Sequence, residues 1–503
     1  MDSCRSAFPF SAAGPHSYRR PASFFLSGTL ILGALLLGAC GSEPDTPAVS
    51  QAPELPPLLD VDGFNPPAAR DLTVQALARL HTGDTEGAVP LLDRALEHRP
   101  NYLDTLLLKA RVEAKEGDPQ IALDTLETLS DLNLQLPLSE DPGLRGLAEE
   151  PRFQAVLAKS LEPRVLSEPA YELEEVDLIP ESVVYDGAED RFFVSSVRKR
   201  KIVTFPAGDP SKVTDFLVSS AEAPLYAVLG MALDAEAGLL WAVSSPGPQM
   251  VDFTAQEPPG GELLAIDLGS GEIRFRLSPT ANEGRPFRLN DVTVAADGTV
   301  FATSSLPPGR LFRADGRAEE PTLEDFGDPG LRSPQGLAVS ADGKTLFVAD
   351  YSYGIAAHDT STGARTWLEE PQGFFLSGID GLTRIGDDLL AIQNGIRPHR
   401  VLRLRPELDE DGGRLVDAEI LEQAVPQYSE PTLGAWIEDA SGTSGRFVYV
   451  ANSQWDRFDQ EHQLPALEEL AAPVLLSLPL TLRETGPTDD GSAPSPAAEG
   501  EVS

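Results

Sequence analysis

Four side chains in the C-terminal two thirds of the chain carry oxygen in a pattern that suits a hard cation. Glu181, Asn290, Gln335 and Asp380 each stand directly before a short apolar run: Ser182-Val183-Val184-Tyr185, Asp291-Val292-Thr293-Val294, Gly336-Leu337-Ala338-Val339 and Gly381-Leu382-Thr383. The last three are spaced 45 residues apart, so a repeating unit presents the same position each time. A carboxylate, two amides and a second carboxylate converging on one point form an oxygen-rich site of the kind Ca²⁺ or Mg²⁺ takes. Leu229, in the matching place before Gly230-Met231-Ala232-Leu233, contributes no donor. The competing reading is that Asn290 and Asp380 only cap turns between units.

The elements that would position these residues are strands. One strand ending recurs: Phe192 to Ser196, Leu240 to Ser244, Val300 to Ser304, Leu346 to Asp350, Leu389 to Gln393 and Val448 to Asn452. Asp297-Gly298 returns as Asp342-Gly343 and then as Asp387-Asp388, which is hairpin chemistry. Room for four strands between neighbouring endings, at this period, predicts a mainly β fold, a six-bladed β-propeller over 166–482. A charged insertion after Trp455 interrupts the last unit, pairing resumes at Val474, and a strand around Tyr171 to Leu178 is expected to complete the final blade. Residues preceding each innermost strand then project into one mouth of the central channel.

At this point the chain resembles the family of senescence marker protein, gluconolactonase and luciferin-regenerating enzyme. The resemblance spans about 178–480 and rests on Pro180-Glu181, Arg288-Leu289-Asn290-Asp291, Pro334-Gln335-Gly336-Leu337 and Ile379-Asp380-Gly381-Leu382. It implies that Glu181, Asn290, Gln335 and Asp380 hold a divalent metal, that Asp380 is also catalytic in lactone or ester hydrolysis, and that Arg288 and Asn290 face substrate. The family has Asn where this chain has Gln335. The extra methylene displaces the ligand oxygen, which weakens the implied site.

Ahead of the strands, 67–165 reads as helical with an internal repeat. Gly83-Asp84 recurs as Gly117-Asp118, Ala88 as Ala122 and Leu92 as Leu126, each 34 residues on. This resembles tetratricopeptide helix pairs, which offer a groove to a peptide or protein partner. A helical spacer that only packs on its neighbour is the alternative. Glu150-Pro151-Arg152-Phe153 marks a capping segment.

The N-terminus carries Arg19-Arg20, an apolar run from Phe24 to Leu37, and Leu37-Gly38-Ala39-Cys40. That is a secretory signal over 1–39, shorter than a spanning helix, and it resembles the lipobox of bacterial lipoproteins, with Cys40 as the lipidated residue. Gly41 after the Cys favours the outer membrane of the cell envelope. Residues 40–66 read as a Pro-rich disordered tether and 483–503 as a disordered acidic tail.

Composition agrees. Cys4 and Cys40 are the only cysteines, so the mature chain has neither a disulfide nor a Cys-based metal site. A formal charge of −40 argues against nucleic acid and against electrostatic attraction to anionic lipid, leaving the acyl group to anchor the protein. No Gly-x-Ser-x-Gly elbow, His-Glu-x-x-His helix or phosphate loop is present. His358 and His399 lack ligand-spaced partners, Trp241, Trp436 and Trp455 read as blade packing, and Arg198 to Lys201 reads as a solvated basic loop. Two functions stay open: a metal-dependent hydrolase of a small lactone or ester, and a non-catalytic scaffold binding protein partners.

Overall fold

In the computed structural model, residues 63–254, 260–279, 286–327, 330–410 and 412–483 are described. The recurring endings fall in the second strand of successive antiparallel units, at Arg191–Ser196, Leu239–Ser245, Thr299–Ser304, Thr345–Asp350, Asp388–Gln393 and Ser444–Val450. These strands are flanked on both sides, and their apolar runs are buried on both faces. The first strands are Pro180–Asp186, Ala227–Asp234, Leu289–Val294, Pro334–Val339, Ile379–Ile385 and Gly434–Glu438. Each packs against the first strand of the next unit, and Gly434–Glu438 returns to Pro180–Asp186. Val183, Met231, Val292, Leu337, Leu382 and Gly434, one from each, line a central cavity of ≈ 260 Å³.

Among the described residues the strands thus form four-stranded units in a propeller-like, mainly β arrangement. Two neighbouring units are joined by a short parallel pairing, Leu368 with Gly413 and Glu369 with Arg414. The unit containing Val474–Thr481 takes its outermost strand from the start of the β region. Glu168–Glu172 pairs with it, Glu168 opposite Ser477 and Glu172 opposite Val474. The closing strand therefore lies earlier than the Tyr171-to-Leu178 expectation. Past Leu173, which bonds the Pro473 carbonyl, the chain turns, with the Leu178 amide on the Glu175 carbonyl.

The first strands share a local irregularity. Between Pro180 and Val183, Val228 and Met231, Leu289 and Val292, and Pro334 and Leu337, three steps on the first strand oppose two on the second. Between Ile379 and Gly381 two steps oppose one. Each is a β-bulge, which leaves a residue out of the ladder and re-aims its side chain. Hydroxyls of the recurring strand endings satisfy the freed backbone: Ser195 accepts from the Ser182 amide at 2.9 Å and Thr303 from the Asp291 amide at 3.1 Å. The final side chain of each ending pins the incoming loop, as Ser304 does on the Arg288 amide and Asp350 on the amides of Arg332 and Ser333. Glycine follows the bulged residue where neighbouring units approach. A Cβ on Gly336 would stand 2.5 Å from the Asp380 carbonyl oxygen.

The helical segment contains α1 (Pro66–His81), α2 (Thr85–His98), α3 (Leu103–Glu116), α4 (Pro119–Asp131) and α5 (Pro151–Ala158). The repeated Asp is a helix cap: Asp84 accepts from the Gly87 amide and Asp118 from the Gln120 amide, both at 2.9 Å. Ala88, Leu92, Ala122 and Leu126 are fully buried. The tether expected to run to residue 66 ends sooner. Pro66 already opens α1, and Asn65 caps it through the Ala68 amide at 3.0 Å, because Pro is pre-organised for a first helical turn.

This segment docks on the β region. Arg99, after α2, is fully buried between the rings of Tyr102 and Phe375. It donates to Glu370 at 2.5 and 3.1 Å, to Ser377 at 3.0 Å and to the Ser352 carbonyl at 3.3 Å. Asn101 bonds the carbonyls of Pro371 and Phe374, and Phe375 and Ile396 join the helical apolar core. The signal peptide 1–39, Cys40, most of the tether and the tail beyond Arg483 lie outside the described residues. No helix among those described is long and apolar enough to cross a membrane.

Candidate functional site

Each candidate ligand is the second residue of its first strand, inside the bulge: Glu181, Asn290, Gln335 and Asp380. The bulges turn these positions toward one end of the channel, and the Asp380 charge acts on Glu181. Burial raises the Glu181 carboxyl well above its usual range, the Asp380 charge raises it further, and a bond from Trp455 opposes both. Burial holds the Asp380 carboxyl at about 6, opposed by Asn394. Two carboxylates enclosed together are each costly to ionise without a compensating cation.

Asn290 donates its amide N–H to the Gln335 carbonyl oxygen, and the Gln335 amide donates to Ser333 at 3.2 Å. The longer side chain at 335 is thereby used, its oxygen committed to Asn290. Arg288 is half-buried at the same mouth. Burial lowers its pKa, and the Glu181 charge partly restores it. A Cβ on Gly247 would meet the Arg288 guanidinium at 2.9 Å and the Gln249 carbonyl at 3.2 Å, so that glycine leaves room for the cation. The Gln249 side-chain oxygen is buried and, among the described residues, has no hydrogen-bond donor. Asp291 points into the channel below, where burial pushes its carboxyl up to about 8 against the Val292 amide bond.

The donor set fits a hard cation in part. Glu181 gives one oxygen to Trp455 and Asp380 one to Asn394, both neutral donors, so neither bond neutralises the carboxylate it holds. Asn290 adds an amide oxygen. Among the described residues no group of three or more His, Cys, Asp or Glu could hold a metal. Two carboxylates with amide oxygens are what the repeated position offers.

Four residues around the mouth escape sequence reasoning. Trp455 is in a short 3₁₀ turn, Trp455–Arg457, and its indole N–H donates to Glu181 at 2.6 Å, which corrects the blade-packing reading. Asn394 donates to Asp380 at 2.7 Å, and Tyr351 donates to the Asn394 oxygen at 3.2 Å. The charge of Glu430 raises the pKa values of Glu181 and Tyr351. No local motif marks any of the four. Trp241 and Trp436 do lie in strands, and His358 and His399 are buried, His399 against the Asn394 backbone. The basic run is internally compensated: Lys199 pairs with Asp177 at 2.6 Å, and Lys201 with Glu175 and Asp215 at 2.7 Å each.

No family model matches the sequence, and no curated protein does. Solved structures with a similar backbone include XC5397 from Xanthomonas campestris, described as a gluconolactonase. It is 18% identical, over 64% of this chain and 98% of that one, with a TM-score of 0.39. A calcium-binding protein, regucalcin, from Agrobacterium tumefaciens str. C58 is 15% identical over 64% and 95%, with a TM-score of 0.41. A luciferin-regenerating enzyme is 14% identical over 62% and 95%, with a TM-score of 0.39. At these identities and scores the likeness bears on neither substrate nor site residues, which stand on the geometry above.

Proposed function

We propose that this chain is an envelope lipoprotein, anchored through Cys40, whose six units form a closed six-bladed propeller with a divalent-cation site at one mouth that hydrolyses a small lactone or ester. The observation that carries this reading is the pair of carboxyls at equivalent strand positions, buried Glu181 and half-buried Asp380, each bonded among the described residues by a neutral donor, Trp455 or Asn394. Glu181, Asn290 and Asp380 would hold Ca²⁺ or Mg²⁺, with Gln335 supporting Asn290 or exchanging its oxygen into the site. A bound cation supplies Lewis acidity to the substrate carbonyl and lowers both carboxyl pKa values. Asp380 then takes the proton of the attacking water and returns it to the leaving alkoxide, so that a lactone plus water gives a hydroxy acid. Arg288 faces the acyl oxygen, and Asn290 orients it.

A second reading, a non-catalytic scaffold, is favoured by one contact. The Gln335 carbonyl is already taken by Asn290, and the helix pairs would then serve as the peptide- or protein-binding face. Calorimetric titration of the full chain with CaCl₂ and MgCl₂ separates the two. Binding should stabilise the fold by about 2.7 kcal/mol at one hundred times Kd, and Asp380→Ala should remove both the binding and the hydrolysis of a lactone and ester panel. If neither the wild type nor Gln335→Asn binds a divalent cation, the hydrolase reading fails and the scaffold remains.

A further inference from the structure

Glu181 and Asp380 are each held by one N–H donor, Glu181 by a residue of another unit and Asp380 by the residue just past the neighbouring strand of its own, Asp388–Gln393. The Glu181 donor is Trp455, buried in the segment between Ser444–Val450 and Val474–Thr481. That segment is tied down on both sides. The Gln454 side chain bonds the Ala471 amide at 2.9 Å and its carbonyl at 3.0 Å, and Ser429 bonds Asp456 at 2.5 Å. Trp455 and Phe458 sit in one apolar cluster with Ile179, Met250 and Phe287, and Leu464 packs against it.

The Asp380 donor is Asn394. Its amide has one workable orientation, because its oxygen accepts from Tyr351 while its nitrogen donates to Asp380 and to the Pro431 carbonyl at 3.0 Å. A flipped amide would lose the bonds to the Asp380 carboxylate and the Pro431 carbonyl, both of which only accept. The loop carrying it is clamped by the helical segment: Ile396 packs into the helical core, and the Gln135 amide donates to the Arg397 carbonyl at 2.7 Å. A Cβ on Gly395 would stand 2.6 Å from Tyr351 and from Gly378, so the loop cannot shift toward the site.

We propose that Trp455 and Asn394 are positioning residues that orient Glu181 and Asp380 toward a common cation. The insertion and the helical segment are then working parts of the site. The proposal rests on the cation reading above. Its physical logic lies in the donor type. A Lys or Arg partner would neutralise the carboxylate, whereas an indole or amide N–H fixes one oxygen, leaves the charge intact and aims the other oxygen outward. Donors one step removed from a metal typically account for a 10–100-fold effect on affinity.

The test uses the full chain and Ca²⁺ itself. Calorimetry should show Kd raised about 10–100-fold in Trp455→Phe, which keeps an aromatic ring but no N–H, and in Asn394→Leu. Tyr351→Phe should act in the same direction as Asn394→Leu, and Asn394→Gln, which restores an amide donor, should recover part of the loss. Tb³⁺ in place of Ca²⁺ gives a readout that structural weakening alone would not move. Luminescence lifetimes in H₂O and D₂O should report more coordinated water in both variants, as a misaimed carboxylate is replaced by solvent. Wild-type Kd and hydration in Trp455→Phe and Asn394→Leu would overturn the proposal, as would lowered apo stability with unchanged Kd. Absence of binding in the wild type is a different failure, since it removes the cation reading and the proposal with it.

Discussion

Replacing Arg99 with Met should loosen the helical segment from the β region by an amount that can be worked out from its contacts. The guanidinium is fully buried and makes two bonds to Glu370, one to Ser377 and one to the Ser352 carbonyl. Met keeps the length of the stem and its contact with Tyr102 and Phe375, but leaves Glu370 with only the Leu376 amide at 2.9 Å. Breaking one side of a buried ion pair costs about 3–5 kcal/mol, because the remaining charge is left desolvated. In a chain of this size that corresponds to roughly 3–6 °C in melting temperature. Glu370→Gln should cost a similar amount from the other side. The double variant Arg99→Met/Glu370→Met should regain most of the loss, since an apolar pair of similar volume replaces a buried ion pair at little net cost. Urea and thermal unfolding followed by circular dichroism provide the measurement, with proteolysis near residues 159–167 reporting undocking. Because Ser377 leads directly into Asp380, Arg99→Met should also weaken the Ca²⁺ response. If both single variants lose less than about 1 kcal/mol, or the double is no better than either, the pair does not seat the helical segment.

Two further outcomes are expected. Cys40→Ser should release the protein from membranes or leave its signal uncleaved, and cell fractionation that finds it processed and still membrane-bound would refute the anchor. Burial, partly offset by the Arg99 charge, holds the Asp104 carboxyl at about 6 against an ordinary 3.8. The folded state therefore keeps a proton that the unfolded chain has lost. Stability from this group is full below about pH 4 and falls as pH rises to about 6, so Asp104→Asn should flatten that part of the stability–pH profile.

The strands were legible because they are written twice over. Branched and aromatic residues bury them on both faces, and Ser, Thr or Asp in four of the six endings completes the backbone of the adjoining bulge or loop, as Ser195, Thr303 and Asp350 do. A side chain with a backbone task recurs at a fixed offset, and a recurring offset can be read from one sequence. The closing strand was placed too late because Tyr171 to Leu178 shows the right alternation, while Glu168 and Pro169, which do pair, carry none. Pairing there is imposed by Val474–Thr481 and has no local signal.

The site divides along the same line. Glu181, Asn290, Gln335 and Asp380 share one position in a repeated unit, so spacing alone brings them forward, and their common bulge explains why that position faces the channel. Trp455 belongs to no repeat, and Asn394 follows the recurring ending Leu389 to Gln393 at a place where the other endings carry no Asn. Their partners are 274 and 14 residues away in sequence, and each is delivered by an element whose docking depends on contacts such as Gln135 with Arg397 that no pattern announces. Had Gln335 been read from spacing only, it would be a cation ligand equal to the others. The bond from Asn290 changes that, because it takes one of the two lone pairs of that oxygen and aims the Gln335 amide at Asn290. Gln335→Asn draws the oxygen back from Asn290 and frees that lone pair, so this substitution should tip the site toward the cation.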